Sequence, residues 1–429
     1  MSIESTLEYI HNVKWQKSKP GLSRTRQLLA AIGNPEKKLK FVHIGGTNGK
    51  GSTAACIASI LTKAGYKTGL YTSPYILRFN ERMQINGEQI ADDELERLTD
   101  MIRPHADAME DTPTEFEVIT ALAMEYFYEH KTDIVVLEVG LGGELDSTNV
   151  IDTPECAVIT AIGLDHTEFL GDTTAKIAAT KAGIIKEGGD VVIYPAEQDV
   201  VDVIKDKCAR VNAKFHSADA SKVNVHSVEL DGCRFDYDGL KDLFLPLAGT
   251  YQPYNAAVAI TACRVLRDKG WKITDENIAS GLASVKWPGR FEVLSRRPVF
   301  ILDGAHNPHG IKATRESLIN HFGDEKLTFV IGVMADKDVD TMISMVAPLA
   351  KEFFTARPDN PRAMSAEDLA KLLSKHGAKA TPCTSVQSAV DTAIASVGKD
   401  GTVIALGSLY FSAEIRAAVE NNPVIAGKQ

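Results

Sequence analysis

The chain has 429 residues, a hydrophobic fraction of 44%, a charged fraction of 24% and a formal net charge of −10. That length exceeds one compact core and predicts at least two domains, and the acidic balance argues against a non-specific nucleic-acid binder. The N-terminal stretch lacks a basic start followed by an apolar run, no segment approaches the roughly 20 apolar residues that span a bilayer, and the six cysteines form no CxxC pair. A cytoplasmic protein with free thiols, bound to neither membrane nor nucleic acid, is expected.

Apolar runs alternate with amphipathic stretches almost from end to end, the pattern of βαβ units and a parallel sheet. Lys40–Gly46 predicts a strand, Lys50–Ala64 the helix after it, and Thr68–Thr72 a second strand. Phe116, Ile119, Ala123 and Phe127 recur at helical spacing and predict a helix over Glu115–His130. Asp133–Val139 and Cys156–Ile162 are continuous apolar runs, as expected of strands buried on both faces. A helix over Thr173–Ile185 and a strand over Asp190–Tyr194 follow. Between Lys214 and Leu247 short alternating segments with turn residues predict antiparallel strands attached to the first domain, and a helix is expected over Tyr254–Asp268. Trp287–Pro298, rich in Pro, Gly and Arg, reads as a domain junction. Beyond it, strands at Val299–Asp303, Leu327–Val333 and Thr402–Leu406 and helices at Asp338–Ala350 and Ala366–His376 predict a second, smaller α/β domain. Ligands are expected at the carboxyl ends of both sheets.

The strongest chemical signal is Gly45-Gly46-Thr47-Asn48-Gly49-Lys50-Gly51-Ser52, set between a strand and a helix. Such a loop curls its amides toward a phosphate while the helix start adds partial positive charge. Lys50 can reach β- and γ-phosphate oxygens, and Ser52 or Thr53 can ligate magnesium. Ile44 stands where the general pattern has glycine, and Gly51 separates the lysine from the hydroxyl.

Several polar residues sit just past strand ends: Ser73, Glu138 and His166. A carboxylate closing the run Ile-Val-Val-Leu-Glu is costly unless it faces a cation or donor. Magnesium takes oxygen ligands alongside waters and phosphates, so Ser73 and Glu138 suit a nucleotide-bound ion. Lys181 by itself reads as a helix surface lysine.

GTNGKGS at Gly46–Ser52, TSPYILRFNER at Thr72–Arg82, EVGLGGELDSTN at Glu138–Asn149 and ITAIGLDHTEFLG at Ile159–Gly171 run on through KAGIIK at Lys181–Lys186, LAGTYQPYNAAVA at Leu247–Ala259 and WPGRFE at Trp287–Glu292. LDGAHNPHG at Leu302–Gly310, MADKD at Met334–Asp338 and GSLYFSAEIR at Gly407–Arg416 complete the series. Together they resemble the folylpolyglutamate synthase and dihydrofolate synthase family within the Mur ligases. The resemblance implies a P-loop-type, mostly parallel N-terminal sheet domain over residues 1–286 that binds ATP. A smaller Rossmann-like α/β glutamate ligase domain over 287–429 would follow. It further implies that Thr47, Asn48, Gly49, Lys50, Gly51 and Ser52 hold the triphosphate, with Ser73 and Glu138 on one magnesium and His166 on a second. Lys181 is implied to be carbamylated and to help bind that second metal. Asn255, Arg290 and Asp303 match positions that contact ATP across the domain junction, and His306 and Ser408 match positions tied to activity on the glutamate side. Tyr75, where the family often has His, and Thr180, where Glu is common, depart from the pattern.

The implied reaction joins L-glutamate to folate, or to dihydropteroate, with ATP and two Mg2+, through an acyl phosphate and with domain closure, in a monomer. Phe116 could stack on the pterin ring or pack in the core, and Arg82 could meet an anionic part of the ligand. A Mur-type ligase acting on a UDP-linked cell-wall precursor, or a P-loop ATPase without ligation, would share part of these motifs.

Overall fold

The computed structural model describes residues 2–12 and 21–425. The first sheet has eight strands: β1 (Phe41–Gly45), β2 (Thr68–Tyr71), β3 (Met83–Ile85), β4 (Glu88–Gln89), β5 (Ile134–Glu138), β6 (Cys156–Ile159), β7 (Asp190–Ile193) and β8 (Lys214–Ser217), in the order β4-β3-β2-β5-β1-β6-β7-β8. All pairs from β2 to β8 are parallel, and β3 and β4 add an antiparallel edge. The register sets Ile44 opposite Glu138 and Gly45 opposite Ile159, so the ends of β5, β1 and β6 come level. Side chains alternate between the two faces. Val135 and Leu137 of β5 join Val118 and Leu122 of the helix Glu115–Glu129 in one cluster, while Ile159 and Ile193 join Ala178, Val200 and Ile204 in another.

Strand Lys214–Ser217 is not part of an antiparallel array. It follows the helix Gln198–Arg210 and pairs in parallel with β7, because a helical crossover returns the chain to the same sheet edge in the same direction. The remaining short segments, β9 (Val223–Glu229), β10 (Gly232–Tyr237) and β11 (Leu240–Leu245), form a separate sheet ordered β11-β10-β9. The helix expected through Ile185 ends at Lys181 and tightens into a 3-10 turn at Ala182–Ile184. Gly183 is a weak helix former, and its carbonyl accepts a bond from the Asn149 Nδ2 at 3.3 Å.

Two compact units divide the chain: Met1–Val223 with Tyr237–Leu243 and Tyr254–Val285, and Asn224–Asp236 with Phe244–Pro253 and Lys286–Gln429. Two stretches before residue 286 thus group with the second unit rather than the first. Hydrogen bonds hold them there: Cys233 Sγ to the Leu247 carbonyl (2.9 Å), the Thr250 amide to Ser317 Oγ (3.0 Å), and His321 Nε2 to the Ala248 carbonyl (2.9 Å).

The second unit's sheet contains β12 (Glu292–Arg296), β13 (Val299–Asp303), β14 (Leu327–Ile331), β15 (Ala350–Thr355), β16 (Ala380–Pro382) and β17 (Thr402–Leu406), ordered β12-β13-β17-β14-β15-β16. All pairs are parallel except β12 with β13. Strand β12 lies in the stretch expected as a junction; it is an irregular edge strand, where a register shift and a closing proline are tolerated. Ile301, Phe329 and Ile404 pack in one cluster and Phe300, Val330 and Val403 in another, so the sheet is covered on both faces. The helix expected over Asp338–Ala350 stops at Val346, a 3-10 turn containing Pro348 follows, and Ala350 opens β15. Among the described residues no helix is long and apolar enough to cross a membrane.

Candidate active site

In the first unit the loop after β1 leads into the helix Lys50–Lys63. The first turn of a helix presents amides without intrahelical acceptors, and here it carries no acidic residue. Gly46 has φ 145° and a Cβ there would lie 1.9 Å from Thr160 Oγ1; Gly49 has φ 85° and a Cβ would lie 2.6 Å from Asn255 Oδ1. Only glycine fits either place, and the second contact puts the buried Asn255 against the loop. The amides of Thr47 and Asn48 donate to the Ala161 carbonyl (2.8 and 3.2 Å), and the Gly163 amide donates to Thr47 Oγ1 (3.1 Å). These two residues therefore anchor the loop to the end of β6.

Two lysines converge on one backbone oxygen. Lys50 Nζ donates to the carbonyls of Gly46 and Thr47, each at 3.2 Å, and Lys181 Nζ donates to the Gly46 carbonyl at 2.8 Å. Lys181 is 4% exposed, so it is not a surface lysine. Burial, then repulsion from Lys50, pushes its amine down to about 7, only partly countered by Asp165 and Asp146. Cations are thus crowded where the loop would meet phosphate.

Glu138 closes β5, is buried, and its Oε2 accepts the Ser73 amide at 3.2 Å. This pair supplies hard oxygen donors and fits one magnesium whose other ligands are phosphate and water. Among the described residues no group of three or more His, Cys, Asp and Glu side chains is arranged to hold a metal alone. His166 lies exposed with φ 50° at the start of the short helix Thr167–Leu170, its amide donating to Asp165 Oδ1. As an amine that donates to a carbonyl, Lys181 is no metal ligand, so a second ion fits only once the amine carries a carboxylate.

Behind the loop, His43 of β1 is fully buried and held neutral, pushed down to about 3 chiefly by burial. Its Nε2 donates to Thr148 Oγ1 (2.9 Å), and the Thr148 hydroxyl donates to Asp146, which also accepts the Leu141 amide (2.8 Å). The chain after Glu138 is thereby tied to β1. Phe116 packs half-buried against the core, 6.1 Å and tilted from Tyr71. Arg82 is buried over the rings of Tyr75 and Phe79.

In the second unit Asp303 closes β13 and is 2% exposed. It accepts the Ala305 amide at 2.8 Å and the Tyr251 hydroxyl at 3.4 Å. Burial raises its carboxyl and the Arg290 cation opposes that rise. His306 Nδ1 donates to the Gly304 carbonyl (2.8 Å), which fixes the ring's orientation. Ser408 is buried, and its Oγ accepts the Tyr410 amide (3.2 Å), capping the turn Leu409–Phe411. Sequence reasoning did not single out Tyr251, His43, Asp146 or Thr148. Tyr251 stood in the quoted LAGTYQPYN stretch, but only the structure joins it to Asp303.

Residues 44–263 match the Mur ligase middle domain and residues 289–409 the Mur ligase glutamate ligase domain. The fold and these two matches define the class, a two-domain Mur-type ligase. The dihydrofolate synthase/folylpolyglutamate synthase of Bacillus subtilis is 40% identical over 93% of this chain and 94% of its own length. The folylpolyglutamate synthase of Mycobacterium tuberculosis, complexed with ADP and AMPPCP, superposes with a TM-score of 0.89 at 29% identity, covering 97% of this chain and 98% of that one. An FPGS–AMPPCP–folate complex superposes at 0.85 with 36% identity, covering 97% and 99%. The chain belongs to the folylpolyglutamate synthase and dihydrofolate synthase family.

Proposed function

We propose that the chain joins L-glutamate to a folate carboxylate at the expense of ATP, as a folylpolyglutamate synthase, a dihydrofolate synthase or both. The observation that carries this reading is the convergence of Lys50 and Lys181 on the Gly46 carbonyl, at a helix start without acidic residues and level with the Glu138–Ser73 pair. ADP, AMPPCP and folate in the complexes of relatives support the same ligand set.

A carboxylate is a poor electrophile because attack by an amine would have to expel oxide. Transfer of the γ-phosphoryl group to the acceptor carboxylate gives an acyl phosphate and ADP. The glutamate amine then forms the C–N bond, a proton leaves nitrogen, and the C–O bond to phosphate breaks. Lys50 and the amides of Gly49–Ser52 would hold the phosphates and offset their charge, so the chain acts through positioning and electrostatics. Ser73 and Glu138 would hold magnesium, which neutralises phosphate charge when bound. Asn255, Arg290 and Asp303 are assigned to the nucleotide, and His306 and Ser408 to the glutamate side. The lowered Lys181 amine is chemically able to take up CO2 as a carbamate, and with His166 it would then suit a second magnesium. An intact-mass increase of one CO2, lost on acidification, is the expected sign.

All assigned residues lie on one chain, so no second copy is required. The six unpaired thiols suit a reducing cytoplasm. Acceptor labelled with heavy oxygen in its carboxylate tests the route: one label should appear in released phosphate for each glutamate added. Phosphate free of label would overturn the acyl phosphate.

A further inference from the structure

Arg82 closes the short turn Phe79–Arg82 and is 8% exposed. The faces of its guanidinium are used: it lies 5.2 Å from the centroid of Tyr75 and 5.5 Å from that of Phe79. The edge is not. Nε and Nη1 are buried and neither has a hydrogen-bond partner. Such donors are costly to leave unmade, more so on a charged group. The nearby acids are committed elsewhere. Glu81 accepts the amides of Ile76, Leu77 and Arg78 (2.8, 3.0 and 3.1 Å), and Asp92 accepts from Arg78 and Asn80 (2.7 and 2.8 Å). Among the described residues no carboxylate pairs with Arg82.

The backbone carries this residue to the site. The Thr72 amide donates to the Arg82 carbonyl at 3.1 Å, and the next amide, of Ser73, donates to Glu138. A guanidinium offers the two oxygens of a carboxylate a planar fork, made by Nη2 with either Nε or Nη1. Given the folate reading above, an acceptor that already bears glutamate presents two carboxylates, one that reacts and one that does not. We propose that Arg82 takes the non-reacting carboxylate of a glutamylated acceptor, and so serves chain extension but not the first addition to dihydropteroate, whose single carboxylate is the reacting one.

Calorimetry with a non-hydrolysable ATP analogue present tests this assignment. Tetrahydrofolate and its counterpart with the α-carboxylate converted to a carboxamide are titrated into wild type, Arg82→Gln and Arg82→Lys, with melting temperatures recorded alongside. Wild type should prefer the carboxylate form by about tenfold or more. Arg82→Gln should lose that preference, and Arg82→Lys, which keeps the charge without the fork, should retain part of it. If the Gln variant melts below the assay temperature, the Lys variant decides the same comparison. Equal binding of both forms by wild type, or equal weakening of both in the variants, would overturn the role of Arg82 alone. Failure of wild type to bind either form would overturn the folate reading with it.

Discussion

The two units handle buried charge in opposite ways. In the first, Lys50 and Lys181 press toward one carbonyl, and the chain lowers the Lys181 amine rather than fully neutralising it. In the second, Asp303 is supplied by its own surroundings with an amide, a hydroxyl and the Arg290 cation. The first arrangement suits a polyanion that arrives and leaves; the second keeps one carboxylate in a fixed orientation throughout. Bound nucleotide brings negative charge to these lysines, and it should therefore stabilise the first unit strongly.

The largest expected effect comes from removing a cation from the first site. Lys50→Ala should lower kcat/KM for glutamate addition by about 10²–10³-fold with the melting temperature held or raised, since the variant relieves repulsion on Lys181. A normal rate would break the comparison at its root.

His43 sharpens it. A third cation behind the loop is avoided by keeping this ring neutral, depressed to about 3 from an ordinary value of 6.5. Because the unfolded chain binds the proton more readily, the stability from the neutral ring is complete above pH 6.5. It drains as the pH falls toward about 3, by about 1.4 kcal/mol per pH unit. Urea midpoints between pH 7 and 4 should show a shallower slope for His43→Gln than for wild type; identical slopes would contradict the neutral assignment.

Gly49→Ala adds a methyl group against Asn255 at a φ of 85°. Nucleotide affinity should fall about tenfold, read by calorimetry, with Gly51→Ala milder if the left-handed conformation is the cause. The smallest effect belongs to the self-supplied site: Tyr251→Phe removes one long bond to Asp303 and should cost about fivefold in kcat/KM. A loss as large as that of Lys50→Ala would mean the second carboxylate is not held independently of Tyr251.

The sheets were legible because strands such as Asp133–Val139 carry continuous apolar runs, and the glycine-rich loop announced itself by composition. Short edge strands were not. Glu292–Arg296 lies among proline, glycine and arginine, and its pairing with β13 is fixed by tertiary contact rather than by its own pattern. Lys214–Ser217 reads like the segments after it, and only the crossover helix gives it a parallel partner. The loop lysine was visible from spacing, but the inward turn of Lys181 was not, since a helix lysine shows its burial only when the sheet beneath it is built. Tyr251 and Asp303, 3.4 Å apart in space, share no local signal because their contact is a product of the fold. Arg82 was read as a possible anion contact, and the structure adds its empty edge.

The most direct test of the central claim is nucleotide turnover by the purified full chain with ATP and magnesium, with products read by mass spectrometry. Acceptor, either tetrahydrofolate or dihydropteroate, and glutamate are supplied separately and together. ADP should accumulate over many turnovers only when both are present, in step with an acceptor heavier by one glutamate. Steady ADP release without glutamate, or with no glutamylated product, would contradict the account and leave a nucleotide hydrolase in its place.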